Sequence, residues 1–175
     1  MSVIRFRAKP FKIGEWTILQ LPMSASGKLP SRGMVLVKGT VNGSPFKTPL
    51  EPDGRGSHWL KVDKNMKAAA GEIAELAIEP SKDWPEPEMP ADLQKALAAD
   101  HEANAIWQDV TPMARWDWLR WIASTAKSET RQRRIRVALS KLKAGTRRPC
   151  CFNRALCTVP EVSKGGALLE AEPGQ

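Results

Sequence analysis

The sequence predicts an α+β protein in which a small N-terminal split β-barrel is followed by a C-terminal four-helix region. Short apolar runs separated by turn residues fill the first 80 residues, and apolar residues recur at helical spacing after residue 90. A period of two is typical of strands and a period of 3.6 of helices. Four prolines between residues 80 and 90 separate the two patterns. The predicted parts are a β-barrel domain (1–80), a Pro-rich linker (81–90), a basic helical domain (91–149) and an extended tail (150–175).

The strand predictions begin with residues 4–9, where apolar and cationic side chains alternate. Asn42-Gly43 is the sharpest turn signal, because both residues tolerate positive φ at the centre of a tight hairpin. Pro45 and Pro49 are expected to limit the return strand to an edge or a short ladder. Asp63 is expected to cap a short helix that ends near Gly71. The other strands are predicted at residues 16–21, 34–41, 46–50, 57–62 and 74–79.

Four helices are predicted after the linker. Thr111 followed by Pro112 is a strong start signal, and Gly145 is a typical residue beyond a helix end. Ser128 is expected to cap the last helix. The predicted ranges are 90–99, 101–109, 111–127 and 129–144.

Positive charge is concentrated in the predicted helices. The chain has a formal net charge of +8, and residues 115–148 contain 11 Lys and Arg against Asp117 and Glu129 alone. A basic cluster of this kind attracts anionic partners and nucleic acids.

Helical projection divides the side chains of the two basic helices. Trp118 and Trp121 fall on an apolar arc and are predicted core residues. Trp116 and Arg120 fall on the opposite side, four residues apart, as an exposed cation–π pair or part of a binding surface. Arg133, Arg134 and Arg136 point away from the apolar stripe of their helix or flank it, as a solvated face or a partner surface.

Arg115 and Arg131 are predicted to point inward, where a charge needs a partner. One interpretation is a structural ion pair with Asp109, Asp117 or Glu129, and the other is an anion site. The candidates for anion or partner binding are therefore Arg115, Trp116, Arg120, Arg131, Arg133, Arg134 and Arg136.

The sequence contains few of the motifs that are typical of catalytic or metal-binding sites. The only histidines are His58 and His101, and the sequence contains no Cys-x-x-Cys pair, phosphate-binding loop or serine-nucleophile motif. Neither a metal nor a cofactor is expected. Cys150 and Cys151 follow several cations that would lower a thiol pKa, so both are candidate reactive thiols. No membrane-spanning segment or export signal is evident, and a cytoplasmic protein with reduced cysteines is expected.

Six sequence motifs carry a family resemblance, and they lie at Val35–Phe46, Leu50–Leu60, Thr111–Arg115, Trp118–Ile122, Ala126–Ile135 and Arg147–Phe152. These motifs resemble two bacterial families. The first part is similar to an uncharacterised split-β-barrel domain, and the second to the helical bacteriocin-protection (YdeI/OmpD-associated) domain often fused behind it. The resemblance implies protection against bacteriocins or antimicrobial peptides, and its first part implies the fold class of AbrB-type transcription factors.

These observations favour a non-enzymatic binding or accessory protein that contacts an unknown anionic ligand or protein through its basic helices. One alternative is nucleic-acid binding, by the AbrB-like barrel or by the helices. A further alternative is an enzyme that uses a Cys150 or Cys151 thiolate. The sequence does not predict an oligomeric state.

Overall fold

A computed structural model describes residues 2–13, 16–66, 68–125 and 127–149. This part of the chain divides into two compact units, with the boundary between Asp83 and Trp84. The first unit is built on a β-sheet and the second on helices. The structure therefore has the α+β class that the sequence predicts.

The first unit is a curled, seven-stranded antiparallel sheet. Its strand order is β1-β7-β4-β5-β6-β3-β2, so β1 and β2 lie at the two edges although they are consecutive in the chain. A short helix, α1 (Met23–Ser26), follows β3. The strands are β1 (Ile4–Ala8), β2 (Phe11–Ile13), β3 (Trp16–Gln20), β4 (Val35–Val41), β5 (Ser44–Pro52), β6 (His58–Lys61) and β7 (Ala74–Pro80).

The predicted Asn42-Gly43 hairpin is confirmed. The two residues join β4 to β5, with φ of 48° and 83°, and the flanking Val41 and Ser44 are paired. Positive φ at both central positions matches the twist of the adjoining strands.

Replacing Gly43 by valine is expected to lower the free energy of unfolding by about 1 kcal/mol, because a β-branched residue is strained at positive φ. No atom lies within 4 Å of a Cβ placed there, so the cost comes from the backbone and not from a clash. Chemical denaturation measures the change. Gly43→Asn is the matched control, since asparagine tolerates this conformation. Equal stability of both variants and the wild type would contradict the turn assignment.

Two local predictions in this unit are wrong. The return strand β5 is not short: it pairs with β4 over Ser44–Leu50 and continues to β6, with Pro45 and Pro49 inside the ladder. A proline can occupy positions whose missing N–H is not needed by a neighbour. The helix predicted from Asp63 is a turn in the described residues, and Asp63 accepts a hydrogen bond from Asn65 N instead.

The curled sheet is buried on both faces at one end. In β3, Leu19 belongs to the main core, whereas its neighbour Ile18 packs in a separate cluster with Phe11 and Trp59. Successive side chains of a strand point to opposite faces. Because Ile18 and Leu19 are both 0% exposed, both faces of this strand are covered.

The second unit contains the four predicted helices in the predicted order. The side chains of Asp100 and Thr111 accept the backbone N–H of Ala103 and Ala114, as expected of N-caps. The last helix begins one residue early, so that Lys127 and not Ser128 occupies the cap position. The helices are α2 (Ala91–Ala98), α3 (His101–Asp109), α4 (Pro112–Ala123) and α5 (Ser128–Lys143).

Residues 84–90, here called the strap, precede α2 and contain neither helix nor strand. They belong to the helical unit, where Trp84 packs against Trp116 of α4 with ring centroids 6.1 Å apart. Prolines at both ends of Pro85–Pro87 favour an extended chain that can lie along a helix.

Candidate partner-binding surface

Helices α4 and α5 enclose an apolar core and leave their cations in different surroundings. Trp118 is 0% exposed, as predicted, and packs edge-on against the partly buried Trp121. Ile135, Ala138 and Leu142 form the buried face of α5. The cations beside these core residues decide which candidates can reach a partner.

Arg115 points inward as predicted, but its guanidinium binds groups of its own unit and stabilises the fold. It donates hydrogen bonds to the carbonyl oxygens of Trp107, Gln108 and Val110 at 2.9, 2.9 and 2.7 Å, and it forms an ion pair with Glu86 of the strap. The last carbonyls of α3 have no partner within their own helix. Arg115 therefore caps α3 and holds the strap, with a partner that the sequence did not suggest.

The prediction of an exposed Trp116–Arg120 pair is wrong. Trp116 is half-buried, and its indole N–H donates to the carbonyl oxygen of Pro85 at 2.8 Å. Arg120 is only 7% exposed and lies 3.8 Å from the carboxylate of the buried Asp117. Projection of a single helix cannot include the strap, which contacts α4 on the side that was expected to be open.

Arg131 forms an ion pair, but with Asp92 of α2 and not with Asp109, Asp117 or Glu129. Its Nε and Nη2 donate to the two carboxylate oxygens at 2.6 and 3.0 Å. Bidentate pairing suits the planar guanidinium. The hydrogen bond from Arg131 is the main reason that the pKa of Asp92 is below its ordinary value, and the pKa of Arg131 is raised in turn.

This pair predicts an acid-dependent contribution to stability. The pKa of Asp92 is lower in the folded chain than in the unfolded chain, so the contribution is complete above about pH 4. It is lost as the pH falls through the folded-state pKa. Denaturation of the wild type and Asp92→Asn should therefore give a stability difference near neutral pH that shrinks on acidification. A difference independent of pH would contradict the ion pair.

Arg134 is also engaged within its own unit. Its Nη1 donates to the carbonyl oxygen of Trp121 and to Ser124 Oγ, both at 2.7 Å, and its guanidinium lies 5.5 Å from the Trp121 ring. The carbonyl at the end of α4 thereby gains a donor. Arg134 joins α5 to the last turn of α4 and is not available as a free surface cation.

Arg133 and Arg136 remain as the exposed candidates. Both lie on the outer face of α5, and neither has an ion-pair partner or side-chain hydrogen bond within the described residues. Residues three apart on a helix are neighbours. We call these two residues the α5 arginine pair. Each guanidinium can bind a carboxylate or phosphate in a bidentate manner.

The catalytic and metal-binding candidates gain no site from the structure. Cys150 and Cys151 lie outside the described residues. Within residues 2–13, 16–66, 68–125 and 127–149, no group of three or more His, Cys, Asp or Glu residues is arranged to hold a metal ion. No helix in the same ranges is both long enough and apolar enough to cross a membrane.

A buried polar network in the first unit was not found from the sequence. His58 Nε2 lies 2.7 Å from the carbonyl oxygen of Gly33, which can only accept, so Nδ1 accepts the hydroxyl hydrogen of Ser26 at 2.7 Å. Arg32 donates to the same hydroxyl oxygen. Because Ser26 and His58 are 0% exposed, this serine–histidine pair ties α1 to β6 and is not open to a substrate. These residues are 32 positions apart, and no local motif links them.

Both parts of the chain match families of known sequence. Residues 2–79 match a domain of unknown function, DUF1905, and residues 86–145 match the family described as Bacteriocin-protection, YdeI or OmpD-Associated. The two matches follow one another in the order that the sequence resemblance implies, so this resemblance is confirmed. No curated protein matches the chain significantly.

Proposed function

We propose that this protein is a non-enzymatic accessory protein of bacteriocin or antimicrobial-peptide protection, which binds an acidic partner through the α5 arginine pair. The family match of residues 86–145 supports the protective role. Binding through α5 is supported by the exposure of Arg133 and Arg136. Among the seven candidates, these two alone are exposed and have no polar partner in the described chain. The other five candidates all contact residues of their own unit.

The chemistry of the pair favours carboxylate or phosphate groups on the partner. Two guanidinium groups on adjacent helical turns offer planar, paired donors without the cost of breaking an existing ion pair. Glu129 on the exposed side of the first turn is the nearest acidic position along α5. A partner with acidic groups spaced along a helix or an extended segment would complement this arrangement.

The protective role is tested by survival. A strain that lacks the gene should be killed by lower doses of a pore-forming bacteriocin or of polymyxin B than its parent, and wild-type protein should restore resistance. The Arg133→Glu/Arg136→Glu variant should restore less, because reversed charges repel an acidic partner. Equal sensitivity of the deletion strain and its parent would contradict the role itself.

The matched control is Lys64→Glu/Lys95→Glu, which changes the net charge equally at two exposed lysines outside α5. It should protect like the wild type, and thermal unfolding should show that both double variants fold. If both variants lose protection equally, net charge and not the α5 arginine pair is responsible. Retention of random duplex DNA that falls steeply with salt and depends on Arg133 and Arg136 would replace the proposal by nucleic-acid binding.

A further inference from the structure

The edge strand β1 offers a second binding surface, in the other unit of the protein. In the described part of the chain, β1 pairs with β7 alone, over Ile4–Ala8, and its other edge has no strand partner. An unpaired edge presents backbone N–H and C=O groups that can accept another strand.

Two grooves flank β1 and share Arg7. One is an open groove of about 460 Å³ lined by β1, β7 and the tip of the β4–β5 hairpin, with Arg5 and Arg7 on one side. The other, of about 240 Å³, is lined by Arg7, Lys9, the last residue of β3 and the two residues that follow it.

The charged side chains of β1 and of the residue that follows it are all cationic. Arg5, Arg7 and Lys9 alternate along the chain, and within the described residues Arg7 forms an exposed ion pair with Glu75 at 2.7 Å. An exposed pair of this kind contributes little to stability. Alternate residues of a strand lie about 6.8 Å apart on one face, so an added strand with acidic residues at every second position would match this spacing.

We propose that β1 binds an extended acidic peptide segment by strand addition. A second copy of β1 does not fit the edge, because antiparallel pairing centred on Phe6 places Arg5 opposite Arg7. Single-stranded nucleic acid is disfavoured, since Phe6, the aromatic side chain lining the larger groove, is partly buried against the core and gives no stacking platform. The partner is therefore a protein segment that alternates acidic and uncharged residues. This binding is independent of the α5 arginine pair.

The test uses the full chain and a fluorescein-labelled heptapeptide that alternates glutamate with threonine. Fluorescence anisotropy should show saturable binding. The same peptide methylated on every backbone nitrogen keeps its charge but cannot donate to the strand edge, and it should bind about tenfold more weakly, as should a seven-residue oligothymidylate. Equal binding of the methylated peptide, tighter binding of the oligonucleotide, or no saturation in the millimolar range would overturn the proposal.

Variants locate the site. Arg5→Glu/Lys9→Glu should weaken peptide binding about tenfold through like-charge repulsion. Arg55→Glu/Lys64→Glu carries the same charge change on exposed residues of the same unit and should bind normally. Amide hydrogen exchange with peptide present should protect residues 4–8. Equal weakening in both double variants, or protection confined to residues outside β1, would contradict the assignment, whereas failure of the survival test leaves this result unaffected.

Discussion

Replacing Arg115 by leucine is expected to lower the free energy of unfolding by about 3 kcal/mol, since the variant leaves several carbonyl groups without a charged donor. Arg115 contacts the carbonyl oxygens of three residues at the end of α3 and Glu86 of the strap, at 8% exposure. Arg115→Lys should recover only part of the loss, because one ammonium cannot reproduce the planar fork. Chemical denaturation with Trp fluorescence measures the change.

Arg136→Leu is the control for this prediction. It removes an exposed arginine from α5, and its effect should stay within about 0.5 kcal/mol. If Arg115→Leu were as stable as Arg136→Leu, the contacts of Arg115 would not stabilise the fold, and an anion site would again become the better interpretation of this residue.

Replacing Gly39 by alanine should have an equal or larger effect on the first unit. A Cβ at this position would lie 1.9 Å from the carbonyl oxygen of Ala77 and 2.9 Å from Ile78 Cα. These are backbone atoms of β7, so β4 and β7 would have to separate. Overpacking of this kind costs about 3 kcal/mol when the neighbours cannot move aside.

Thr40→Ala, one residue further along β4, is the matched control and should cost less than about 1 kcal/mol. Loss of the cooperative unfolding transition for Gly39→Ala alone would agree with the prediction. Wild-type stability of Gly39→Ala would mean that β4 and β7 do not approach each other as closely as described.

Local signals predicted much of the fold. The Asn42-Gly43 turn and the Thr111-Pro112 helix start depend on backbone preferences of the residues themselves, and both are found as expected. The strand β5 was predicted at residues 46–50 but spans nine residues, because Pro45 and Pro49 weaken the strand signal although their positions in the ladder accommodate them. Neighbouring strands overrode the local preference in this case.

The candidate surface was harder to predict because it depends on contacts between distant residues. Helical spacing predicted Arg115 and Arg131 to point inward, which holds for Arg115, whereas the Arg131 side chain is 29% exposed. It did not identify their partners Glu86 and Asp92, which lie 29 and 39 residues away. It placed Arg120 on an open side, although Arg120 is 7% exposed and lies beside the buried Asp117. Sequence thus predicted a basic region, and the tertiary structure shows which of the seven candidates are exposed, which a single-helix projection could not do.

Partner binding by the α5 arginine pair is tested most directly by site-specific photocrosslinking from α5 during exposure to the bacteriocin. A photoreactive phenylalanine analogue at the exposed position of Ser140, four residues after Arg136 on the same helix, should crosslink to one partner, and charge reversal at Arg133 should abolish the adduct. The same analogue at the exposed position of Lys95 should give no such adduct. Crosslinking that is equal from both positions, or that persists after Arg133→Glu, would contradict partner binding by the α5 arginine pair.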